Sequence, residues 1–71
     1  MTSFTLAEMV LEENRPFDYN WLRYVKCTEG FNGLLKIAKN TTECFAPKGC
    51  SKKLIGRAAK IVAETLYNEI W

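Results

Sequence analysis

The chain has 71 residues and carries a net charge of +2, and 48% of its residues are apolar, including four Phe, three Tyr and two Trp. That makes one domain, too rich in aromatics to be disordered, and too weakly charged to imply nucleic acid from charge alone. A domain of this size buries only about 60% of its unfolded surface, so each large apolar side chain is expected in the core unless an oligomer or partner completes it.

The charge is unevenly spread. Residues 1–20 hold Glu8, Glu12, Glu13 and Asp18 against Arg15, while residues 21–71 hold nine Lys/Arg against Glu29, Glu43, Glu64 and Glu69. The opening Met1-Thr2-Ser3-Phe4 lacks the basic and apolar segments of a signal peptide. No apolar run approaches the roughly 20 residues of a membrane span. These features predict a cytoplasmic protein with no membrane partner.

Taken in chain order, four segments have helical signals. Thr5 followed by Glu8 is a capping-box pattern, which predicts a first helix from Leu6, with Leu6, Met9 and Val10 inward. Pro16 would end it. Asp18 can cap a second helix over 19–29, with Trp21, Leu22, Tyr24, Val25 and Thr28 on one arc and Gly30 as its stop. Asn32 can cap a third over 33–39, with Leu34, Leu35, Ile37 and Ala38 inward and Asn40 ending it. A loop over 41–50, marked by Pro47 and Gly49, would follow. It contains part of Asn40-Thr41-Thr42, a formal glycosylation sequon that is incidental without secretion.

Ser51 caps the longest helix, predicted over 52–71. Ile61, Leu54, Ala58, Val62, Ile55, Leu66, Ala59 and Ile70 fill about half of its circumference at 100° per residue. So wide an arc suits a helix packed against two or three others. The fold class read from these patterns is all-α, a compact bundle of about four short-to-medium helices. Phe17, Tyr19 and Phe31 flank helix ends and are candidates to staple them.

Catalysis needs a matched nucleophile, base and oxyanion donor, or a metal. The chain has no histidine, the commonest general base. It carries none of the glycine-rich or serine-elbow motifs. Lys48 to Lys53 resembles a phosphate loop but lacks its first glycine. Cys27, Cys44 and Cys50 are odd in number and no C-x-x-C is present. They are therefore expected as free thiols, with Cys27 half buried and the others near the loop. No cofactor, metal or enzymatic activity is expected.

Three features point instead to binding. Lys52 and Lys53 sit where a helix start presents backbone N–H groups, which suits an anion. Lys53, Arg57, Lys60 and Glu64 form a stripe at i, i+4, i+7 and i+11. Its cations could meet phosphates, an acidic protein patch or only solvent. Tyr67 and Trp71 fall at about 220–260° on the last helix, off the apolar arc, and Trp and Tyr dominate interface hot spots. Gly56, one helical repeat from Lys60, leaves room for close approach. The expected partner-binding set is thus Lys53, Gly56, Arg57, Lys60, Tyr67 and Trp71.

Cys27, Lys39-Asn40, Arg57, Leu66-Tyr67 and Ile70 give the second half a loose similarity to the Hha/YmoA family of small helical nucleoid-associated modulators. No residue role is carried over from it. The function expected from the residues themselves is a small non-catalytic protein-binding module. A regulator, adaptor or inhibitor of a larger protein fits, a class in which phage-encoded proteins are common. The alternative is a nucleic-acid-binding or nucleoid-associated domain using the basic stripe. A homodimer through the exposed aromatics is a third arrangement.

Overall fold

The computed structural model describes residues 2–13 and 18–70. Within them lie three helices, α1 (Ser3–Glu13), α2 (Tyr19–Phe45) and α3 (Lys52–Glu69), and no strand. The all-α class holds, but the helices number three and not about four. The expected second and third helices are one element with a kink. Gly30 leaves helical geometry (φ 70°, ψ −155°), and the helix resumes directly after it. A positive φ is nearly free for glycine, so Gly30 bends the chain without requiring a loop.

The helix ends follow local side-chain chemistry. Asp18 caps α2 as expected, its Oδ1 accepting from the backbone N–H of Asn20 at 3.1 Å and of Trp21 at 3.3 Å. Ser51 caps α3, its Oγ accepting from Leu54 N–H at 3.1 Å. The start of α1 differs. Thr2, not Thr5, is the cap: its hydroxyl accepts from Thr5 N–H at 3.1 Å and its carbonyl from Leu6 N–H at 3.1 Å. Asn40 does not end α2 either. The helix runs on to Phe45 and stops at Ala46, which is extended (φ −65°, ψ 133°). The cause is Pro47, whose ring disfavours helical geometry in the residue before it. The connection to α3 is therefore shorter than the predicted loop.

α3 packs against both other helices, whereas α1 and α2 touch each other little. The core is aliphatic: Leu6, Ala7 and Val10 from α1, Leu22, Val25, Leu34 and Ala38 from α2, and Ala58, Ala59, Val62, Ala63 and Leu66 from α3, closed by Ile70. Each fully buried Leu, Ile or Val contributes about 1.5–3 kcal/mol. Two expected facings are corrected. In α1, Ala7 is buried and Met9 is exposed. In α2, Leu22 and Val25 alone of the predicted arc point inward, and Trp21, Tyr24 and Thr28 face out. On α3 the buried arc is turned by about 40°, taking in Ala63 and leaving Leu54 and Ile61 half-buried. Alanines let neighbouring backbones approach closely, so the packed face follows them and not the larger side chains. No helix among the described residues is long and apolar enough to cross a membrane.

Candidate interaction surface

The predicted basic stripe is present as a surface. Lys53, Arg57, Lys60 and Glu64 are all exposed, on the side of α3 directly opposite its buried alanines. Lys60 and Glu64, four residues apart, form no ion pair, and none of the three cations makes a side-chain hydrogen bond or ion pair among the described residues. The stripe is thus free to meet a partner.

Gly56 lies elsewhere, half-buried in a groove of about 240 Å³ shared with Lys39, Glu43, Lys52 and Ile55. Lys52 faces this groove and Lys53 does not line it, so the two lysines at the helix start are not one anion site. Glu43 further offsets the positive lining.

Tyr67 is 38% exposed, but its ring is engaged within the molecule. Phe31 meets it edge-on, with centroids 5.9 Å apart and planes at 73°. The ammonium of Lys26 sits 4.1 Å from its centroid. Lys26 also donates to Tyr67 O at 2.9 Å and Ile70 O at 2.6 Å. A cation from α2 therefore caps the C-terminal carbonyls of α3, where the helix dipole is negative. The Tyr19 hydroxyl donates to Glu69 Oε2 at 3.4 Å alongside it. Tyr19 and Phe31 do not staple the ends of their own helix as expected: Tyr19 opens α2, Phe31 lies within it, and both reach across to α3. Phe17 and Trp71 lie outside the described residues.

The surface that periodicity missed is on the first half of α2. Trp21 is 51% exposed and Tyr24 65% exposed, one turn apart, with exposed Arg23 between them in sequence. The signal was available in composition, since two aromatics within three residues of an arginine match the hot-spot types. It was masked because both aromatics border the buried stripe of Leu22 and Val25. Phe4 on α1 is also well exposed.

The three thiols are unpaired. Cys27 and Cys44 are exposed and Cys50 is partly buried, so the expected half-buried position of Cys27 is corrected. Cys27 stands on the outer side of α2, roughly opposite Leu22 and Val25. Among the described residues no group of three or more Cys, Asp or Glu side chains forms a metal-binding cluster.

No protein-family model, curated protein or solved structure matches the chain, so the similarity to the Hha/YmoA family rests on its few residues alone.

Proposed function

We propose that the chain is a non-catalytic protein-binding module that inserts Trp21 and Tyr24 of α2 into an apolar pocket on a larger protein. It acts as a regulator, adaptor or inhibitor in the cytoplasm, a compartment that keeps three unpaired thiols reduced. The observation that carries this reading is that no aromatic side chain is fully buried among the described residues, while Trp21 and Tyr24 are at least half exposed. A small domain that leaves its largest apolar groups in water forgoes burial its own core could use. Binding recovers it, and Trp, Tyr and Arg are the residue types that dominate interface energetics.

A second reading, contact with nucleic acid through Lys53, Arg57 and Lys60, is favoured by the absence of partners for those cations among the described residues. One experiment separates the two. Partners are captured from host lysate at about 50 and 200 mM salt, with wild type, with Trp21→Ala/Tyr24→Ala and with Lys53→Glu/Arg57→Glu/Lys60→Glu. The protein-binding reading expects one protein retained at both salts, lost by roughly thirtyfold or more with the aromatic variant and kept by the charge-reversed one. Steep loss of captured nucleic acid with salt, abolished by the charge reversal alone, overturns it in favour of the second reading.

A further inference from the structure

We infer that Gly30 is the hinge of a domain exchange, through which α1 and the first half of α2 can leave their own α3 and pack on that of a second copy. The inference is independent of the proposed partner surface.

It starts from what joins the two halves of the molecule. The leading half is held by Leu6, Ala7, Val10, Leu22 and Val25 in the core. It is also held by the Lys26 bonds to Tyr67 O and Ile70 O and by the Tyr19–Glu69 contact. The backbone between the halves departs from helical geometry only at Gly30. If Gly30 takes ordinary helical angles, α2 becomes one straight helix of 27 residues, about 40 Å long at 1.5 Å per residue. That exceeds the 34 Å longest extent of the molecule. The leading half is then carried away from its own α3 and can satisfy the same contacts only on another copy, which is the geometry of domain swapping.

Gly33 shows how closely the kink is fitted. A Cβ there would lie 2.6 Å from Glu29 Cβ and 2.7 Å from Val25 Cγ1, a crowding that a straight helix does not have, since side chains four apart then stand about 5–6 Å from each other. Both Gly30 and Gly33 favour the folded-back chain, and both weaken a straight helix. The two glycines therefore bias the chain toward the monomer at low concentration, high concentration favours exchange by mass action, and a side chain at the hinge tips the balance further toward exchange.

The test uses the full chain as wild type and as Gly30→Ala. Each is refolded at about 10 μM and 1 mM, with mass read by light scattering after size exclusion. Alanine is strained at φ 70°, ψ −155°, and two hinges are relieved per dimer. The expected result is dimer formation strengthened on the order of a hundredfold. In dimers prepared from mixed isotope-labelled and unlabelled chains, Lys26 side-chain protons should show intermolecular contacts to the Tyr67 ring. If Gly30→Ala does not fold, the same isotope experiment on wild type refolded at 1 mM decides. A monomer at both concentrations overturns the inference, as does a dimer in which the Lys26–Tyr67 contact stays within one chain.

Discussion

At the scale of single residues, the hydroxyls of the threonines in α2 and α3 separate into two kinds. Thr28, Thr41 and Thr65 each donate to the carbonyl four residues earlier, at 2.9–3.0 Å. Thr42 is fully buried and its Oγ1 has no hydrogen-bond partner among the described residues. An unsatisfied buried hydroxyl costs about 1–3 kcal/mol, and an apolar replacement of the same shape removes that cost. Thr42→Val should therefore stabilise the protein by about 1 kcal/mol, raising the melting temperature by roughly 4–8 °C in a domain this small. Thr41→Val, which gives up a formed bond, should give no gain. A lowered melting temperature for Thr42→Val in a thermal scan would show that the hydroxyl has a partner. The caps at Asp18 and Ser51 were legible in the sequence because a cap is a contact between near neighbours. The unpaired hydroxyl was not, because burial of residue 42 depends on α2 continuing past Asn40.

At the scale of elements, the stop and start signals competed, and the stronger steric one prevailed. Asn40 only permits a left-handed terminus, whereas Pro47 forbids continuation. Gly30 allows either a break or a bend, so the sequence could not tell a short loop from a kink. The facing of α2 departs from its periodicity for a different reason. The helix is covered mainly by α3, so a narrow stripe through Leu22 and Val25 is buried and the flanking Trp21 and Tyr24 stay in water. The turned arc of α3 gives a direct check. Leu66→Ala removes a side chain that is only 1% exposed and should cost about 2–5 kcal/mol. Ile61→Ala, at the margin, should cost no more than about half as much. Urea unfolding of the two variants compares them. Equal losses would return Ile61 to the centre of the packed face.

At the scale of the whole molecule, composition suggested that every large apolar side chain would be spent on the core, and the fold spends alanines instead. Among the described residues, five of the thirteen buried apolar ones are alanine, at 7, 38, 58, 59 and 63. Small residues draw helix axes together, which leaves too little width for rings and displaces them to the surface. The candidate site was legible in part for the same reason. The basic stripe follows from helical spacing alone, but exposure of Trp21 and Tyr24 depends on how three helices share so thin an interior. This arrangement also has an optical consequence. In a Trp71→Phe variant, Trp21 is the sole indole, and its ring is already half in water when the chain is folded. Urea should then abolish the helical circular dichroism with little red shift in tryptophan emission, so that light emission is nearly blind to unfolding. The same indole should shift clearly to the blue when an apolar pocket closes over it, which makes emission a reporter of docking in a protein whose folding it barely records.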